Sequence, residues 1–121
     1  MTQSQTLQQK SEEQVREELR GFPEDAVLSV LRLREDFTAG RLDATVRHVL
    51  GFYLPKARAC ALEALPKETR LREDLGVDSL TMAEAAFKFD ELFGVSIETR
   101  ETAGIETLGD LHAFLVRKLE V

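Results

Sequence analysis

Apolar residues recur at helical spacing in several stretches of this chain, separated by glycine, proline and small polar residues, and each stretch predicts a helix. Residues 1–10 are polar and without periodicity, and are expected to be disordered. Ser11-Glu12-Glu13-Gln14 is a capping-box pattern with acidic residues in the first turn, so a helix is predicted from there to about Arg20, ended by Gly21. Phe22-Pro23-Glu24 starts a second helix, whose stripe of Val27, Leu28, Leu31 and Leu33 carries it to about Phe37 before Thr38-Ala39-Gly40 breaks the chain. A third spans residues 42–54, with Leu42, Val46, Val49, Leu50 and Tyr53 mostly on one side; Pro55 then kinks or restarts it, and residues 57–65 hold further helix formers before Pro66. From Ser79 to about Phe93, Met82, Ala85, Ala86, Phe89, Leu92 and Phe93 face inward, and Gly94 ends the helix. After a short irregular turn over residues 98–103, Thr107 caps a last helix, Leu108–Leu119, in which Leu108, Leu111, Phe114 or Leu115, and Leu119 close a bundle. The fold class is all-α.

Candidate chemistry concentrates at the start of the Ser79 helix. Gly76 permits a tight turn, and Asp78 can cap the free N–H groups of the first helical turn. Ser79 therefore sits where unpaired donors and the positive end of the helix dipole favour an attached phosphate, with its hydroxyl towards solvent. Leu80 beside it gives a modifying enzyme an apolar foothold. The outer side of the same helix carries Leu80, Ala83, Glu84, Phe87 and Glu91, with Asp90 near its edge: apolar patches flanked by carboxylates, in which Phe87 reads equally as contact or core.

The segment Leu71-Arg72-Glu73-Asp74-Leu75-Gly76-Val77-Asp78-Ser79-Leu80 resembles the attachment site of acyl carrier proteins, and the resemblance extends over residues 42–119. Phe89, Phe93 and Ile97 match apolar positions of that family's second helix and following loop, and Thr107, Leu108, Leu111, Phe114 and Leu115 match its last helix. The family's first helix falls on residues 42–54, on 57–65 or on a kinked union of the two. The resemblance implies an acyl-carrier-like four-helix bundle with additional N-terminal helices. It implies 4′-phosphopantetheine, donated from coenzyme A by a phosphopantetheinyl transferase, on Ser79. Acyl intermediates would then be held as thioesters on its thiol, in fatty-acid or polyketide-like biosynthesis. It also makes the Ser79 helix the recognition surface, with Asp78, Leu80, Glu84, Phe87, Asp90 and Glu91 meeting the basic faces of an acyltransferase, a ketosynthase or other acyl-processing enzymes. Carriers can admit an acyl chain between that helix and the last helices; Phe87, Phe89 and Phe93 would narrow this space here and Ala83 and Ala86 widen it. An aminoacyl or peptidyl carrier, or an unmodified helical adaptor, are the alternatives. The Gly-Asp-Ser-Leu block of some esterases does not apply, because Val77 separates Gly76 from Asp78.

Composition narrows the remaining classes. The 121 residues suit one small helical module, with no apolar run long enough to cross a bilayer and no apolar centre of a signal peptide near the start, so a soluble cytoplasmic monomer is expected. Residues 66–121 hold seven Lys or Arg against twelve Asp or Glu, five of the chain's six net negative charges, which disfavours nucleic acid and anionic membranes and favours basic protein surfaces. Cys60, in an Ala/Leu-rich stretch, is expected to be a buried or partly buried thiol in a reducing compartment. His48 and His112 are too isolated for a metal site or a Ser/His/Asp triad and are expected at the surface or the core boundary; no catalytic residue and no metal is expected, and the chain is read as a non-enzyme. The division is residues 1–10, an extension over 11–40 and a carrier-like domain over 41–121. Because Val27, Leu28, Leu31 and Leu33 need cover, the extension is expected to dock on the carrier bundle.

Overall fold

In a computed structural model that describes residues 4–55 and 62–120, the elements run α1 Ser4–Gln8, α2 Glu12–Glu18, α3 Glu24–Glu35, α4 Ala39–Phe52, a 3₁₀ turn Leu62–Ala64, α5 Ser79–Phe93, α6 Thr99–Thr102 and α7 Leu108–Leu119. No strand occurs among the described residues, where strand-type pairing is limited to a single bridge between Arg70 and Thr107. The fold is all-α, as the periodicity predicts. Cys60 and most of the 57–65 stretch lie outside the described residues.

Caps set most boundaries. Ser11 and Gln14 form the predicted reciprocal capping box on α2, and Thr107 with Asp110 forms another on α7. Two expectations fail at helix starts. Residues 4–8 are helical rather than disordered, because Leu7 is fully buried in the common core and the seat it fills belongs to α5. Thr38-Ala39-Gly40 is not a break: the Thr38 side chain accepts from the Arg41 N–H (3.2 Å) and starts α4 three residues earlier than the apolar pattern suggests. The connection from α3 is accordingly only Asp36–Thr38.

α3 and α4 form a helical hairpin whose register is fixed by two cross-links. The Thr45 hydroxyl donates to the Ser29 carbonyl (3.2 Å), and Arg41 Nη1 donates to the Arg32 carbonyl (2.6 Å); the pairing numbers run in opposite directions, so the helices are antiparallel. The buried stripe of α3 is Ala26, Val27, Val30 and Leu33, displaced by part of a turn from the predicted one, with Leu28 and Leu31 half-buried. α4 buries Leu42, Val46, Val49 and Leu50 and stops at Phe52, leaving Tyr53 half-buried. Arg47 is buried among them. Its guanidinium pairs with Asp43 (3.1 Å) and donates to the carbonyls of Leu62 (2.9 Å) and Leu65 (2.5 Å), closing the 3₁₀ turn onto α4 and leaving no bare charge inside.

One core joins every helix except α6. It runs from Leu7, Val15 and Leu19 through Val30, Leu33, Val46 and Leu50 to Phe89, Phe93, Leu115 and Leu119. Phe89 and Phe93 stack with centroids 6.2 Å apart, and Phe37 meets Phe93 edge-on at 6.1 Å. Burial of each such side chain contributes roughly 1.5–3 kcal/mol, so the N-terminal helices are held by the same apolar term as the rest.

Polar contacts fix how those helices sit on α5. Lys10 Nζ pairs with Glu18 (2.7 Å) and donates to the Glu91 carbonyl (2.6 Å), placing a cation near the negative end of α5. Lys88 Nζ donates to the Glu18 carbonyl (2.7 Å) and lies 5.7 Å from the centroid of the Phe22 ring. Gly94 ends α5 with φ of +67°, and a Cβ there would lie 2.6 Å from the Thr6 methyl, so the residue serves both the left-handed cap and the close approach of α1.

Candidate functional site

The loop leading to Ser79 is tied to the start of α7 by backbone bonds. The N–H of Leu71 donates to the Glu106 carbonyl (2.8 Å), that of Leu108 to Thr69 (3.0 Å) and that of Gly109 to Lys67 (2.9 Å). The loop then closes on itself, with the Gly76 N–H donating to Arg72 (3.1 Å), the Val77 N–H to Leu71 (2.9 Å) and φ of +73° at Gly76. Leu71, Leu75 and Val77 are buried, so a segment without regular structure is held at both ends. This anchoring delivers Asp78 and Ser79 to one place.

Asp78 is the N-cap of α5. Its Oδ1 accepts from the Thr81 N–H at 2.8 Å, and that bond, aided by the Thr81 hydroxyl, holds its carboxyl below the usual carboxylate range. Ser79 follows as the first helical residue and is exposed. A carboxyl whose native value is depressed stabilises the fold fully above the unfolded value of about 3.9, and that contribution is lost as pH falls through the native value. Asp78→Asn, which keeps an oxygen cap without the charge, is therefore expected to melt below the wild type at neutral pH. The gap should close as the melts are taken below about pH 4. A gap independent of pH would place the charge effect elsewhere.

A groove of about 760 Å³ opens from Ser79 along α5. Ser79, Met82, Ala83, Ala86, Phe87 and Asp90 line it, a set spaced at three and four residues and hence one face of the helix. Leu71 and Val77 supply apolar floor, and the far wall comes from Ile97, α6 and Ile105. α6 is clamped to α7 by the Glu101–Lys118 pair (2.8 Å); the Glu98 N–H and this lysine hold the Glu101 carboxyl below its usual range. Arg70 and Arg72, both exposed, line the same groove as Ser79. Neither arginine stands out in the sequence, because only the folded loop brings them to the groove.

The sequence-predicted contact residues separate into three settings. Leu80 and Phe87 are each 69% exposed, which answers the open question about Phe87: it is not core. Ala83, Glu84 and Phe87 meet Tyr53 around a second, shallow depression of about 330 Å³, and partial burial with the nearby Glu84 and Glu91 pushes the Tyr53 phenol up. Asp90 turns to the groove instead, and Glu91 is engaged by Lys88 Nζ (2.5 Å) rather than standing free. Phe89 and Phe93 do not narrow the groove; they point to the opposite side of α5, into the core. Met82 and Ala86, expected inside, are half-buried groove wall. Phe52, at 42% exposure, extends the aromatic surface by stacking on Phe22 at 3.9 Å, a contact with no periodic signal.

The histidines lie at the boundary. His48 Nε2 meets the Glu63 carboxylate, and His112 Nε2 donates to the Ala39 carbonyl (2.7 Å). Among the described residues no group of three or more His, Cys, Asp or Glu side chains could hold a metal ion, and no helix is long and apolar enough to cross a membrane.

The capped start of α5 thus places one exposed serine, Ser79, in the lining of a groove. Residues 57–115 match the family described as phosphopantetheine attachment site. This segment is similar to the phosphopantetheine attachment sites of acyl carrier proteins, and 4′-phosphopantetheine is the covalent group that such attachment domains carry. The chain is 34% identical over 53 residues to an acyl carrier protein of Thermotoga maritima, covering 44% of this chain and 65% of that protein. It is 40% identical over 48 residues to an acyl carrier protein of Rhodococcus erythropolis, covering 40% of this chain and 52% of that one. A meromycolate extension acyl carrier protein of Mycobacterium tuberculosis is 42% identical over 48 residues, 40% of this chain and 41% of its own length. The aligned stretch thus spans only about half the length of these relatives. No solved structure matches the chain at a significant level.

Proposed function

We propose that this protein is a carrier of acyl groups in fatty-acid or related long-chain biosynthesis, with 4′-phosphopantetheine attached to Ser79. The carrying observation is exposed Ser79 at the first turn of α5, lining the same groove as Arg70 and Arg72. The surroundings suit the group. A phosphodiester on that oxygen would lie at the positive end of a helix of fifteen residues, in a groove whose lining includes Arg70 and Arg72, while Asp78 spends its own charge on the Thr81 N–H. Bound there, the group supplies a thiol on a flexible arm, which lets one tethered cargo reach several active sites. The chain's own residues then position, shield and present: the apolar groove withdraws part of the cargo from water, and none acts as a catalyst. In this reading the modifying and acyl-processing enzymes are separate proteins with basic docking faces.

Intact-mass measurement after incubation with coenzyme A and a broad-specificity phosphopantetheinyl transferase tests the proposal. One phosphopantetheine per chain is the expected gain. An unchanged mass for folded protein would leave the carrier-like adaptor.

The partner face is proposed to be Leu80, Ala83, Glu84 and Phe87, with Asp78 at its upper edge and Asp90 and Glu91 lying outside its centre. Surface carboxylates on such a face accelerate encounter more than they add affinity. Reversing charge by Glu84→Lys is expected to lower kcat/KM for the transferase about tenfold at low salt, with the deficit shrinking as ionic strength rises. Equal rates at all salt concentrations would remove Glu84 from that face.

A further inference from the structure

We infer that Asp90 reads the far end of the cargo, setting the apolar depth of the groove and favouring chains that arrive there with a hydrogen-bond donor. This inference rests on the carrier reading of Ser79 and goes beyond it, since nothing in that reading requires the groove to end in a charge.

The argument begins with helix geometry. Ser79 and Asp90 lie on one face of α5, eleven residues apart, so the two ends of the groove are separated by about 16 Å along the axis. The rest of the lining mixes Ile97, Ala103 and Ile105 with Glu73, Glu98, Thr99, Thr102 and Glu106, but between the two ends the face of α5 itself is Met82, Ala83, Ala86 and Phe87, without a charge. Asp90 interrupts this surface. It is half-buried, and its Oδ2 accepts only a long contact from the Ile97 N–H, at 3.5 Å. No ion pair involving it occurs among the described residues, whereas its neighbour Glu91 is held by Lys88. Its carboxylate therefore has acceptor capacity left over at the end of the apolar face that α5 turns to the groove.

Two consequences follow. A plain alkyl chain gains by burying methylenes until its terminal methyl reaches Asp90; beyond that it strips water from a carboxylate and offers nothing in return. A terminal hydroxyl at the same depth donates to that carboxylate, a bond to a charged acceptor in a partly dry site.

The experiment uses the full chain loaded from a series of saturated acyl-coenzyme A thioesters, and from the matching ω-hydroxyacyl thioesters, by the same transferase. Each transfer forms one phosphorus–oxygen bond at Ser79 Oγ, breaks the bond to adenosine 3′,5′-bisphosphate and releases the hydroxyl proton. The readout is the thermal midpoint of each loaded species relative to the acetyl form. In the wild type the midpoint should rise with chain length, by up to about 3 °C for each methylene fully buried, and then stop rising or fall at one break length. At that length the ω-hydroxy form should melt higher than the plain chain. Asp90→Leu should move the break by at least two methylenes to longer chains and erase the hydroxyl preference. Asp90→Asn, closer in shape, should weaken both and serves if the leucine variant folds poorly. A break length and hydroxyl preference unaffected by either variant would overturn the role of Asp90 while leaving the carrier reading intact. Midpoints independent of chain length would also overturn it, by showing that the cargo does not enter the groove. Failure of Ser79 to accept any group would remove both readings together.

Discussion

Ser79→Ala is expected to abolish mass gain from coenzyme A altogether while leaving the thermal midpoint within about 1 °C of the wild type. The two halves of that expectation have separate causes. Loss of the hydroxyl removes the nucleophilic oxygen at the first residue of α5, and no other serine or threonine among the described residues holds that position: Thr81 is bonded to the cap. Stability is spared because the side chain is exposed and its hydroxyl takes no recorded part in capping; alanine has the better helix propensity at a first-turn position. The measurement is intact mass paired with a thermal melt on the same preparation. Persisting modification would move the attachment point, and a large fall in midpoint would mean that the serine serves the fold.

Which parts of this arrangement were legible in the sequence depends on whether their cause is local. The bounds of α5 and α7 follow from Asp78, Gly94 and Thr107, each acting within four residues of itself, and these helices fall where the pattern puts them. The exposed serine follows from the same caps. The groove does not: one wall is the α5 stripe, which the sequence shows, but Arg70, Arg72 and Ile105 join it through backbone bonds between the 67–71 loop and the start of α7, and Ile97 through the turn after α5. Direction around α5 is similarly invisible, because Met82 and Ala86 fit an inward stripe as well as Phe89 and Phe93 do. The structure separates them by placing the two phenylalanines against Phe37 and the core. At the start of α4 the local signal points two ways, since Thr38 before Ala39 and Gly40 reads as a breaker but acts as a cap.

The N-terminal helices pose the opposite problem, an element whose stability comes almost wholly from elsewhere. α1 has five residues, far below the length at which a helix holds in water by itself, and Leu7 is its one fully buried anchor. Leu7→Ala is therefore expected to cost about 2–4 kcal/mol, within the range for a leucine removed from a packed core. The loss should not stay local. Lys10, which depends on the placement of α1, bridges Glu18 of α2 and the Glu91 carbonyl of α5, and Arg34 Nε of α3 donates to the Lys10 carbonyl (2.5 Å). Freeing α1 thus loosens three helices at once, and amide exchange at the end of α5 should accelerate together with exchange in α2. Modification of Ser79 by the transferase should proceed at the wild-type rate below the new melting range, because the loop that presents it is fixed to α7 rather than to α1. Chemical denaturation with exchange mass spectrometry checks both parts. A cost under about 0.5 kcal/mol, or faster exchange confined to residues 4–10, would mean that α1 rests on the bundle without supporting it.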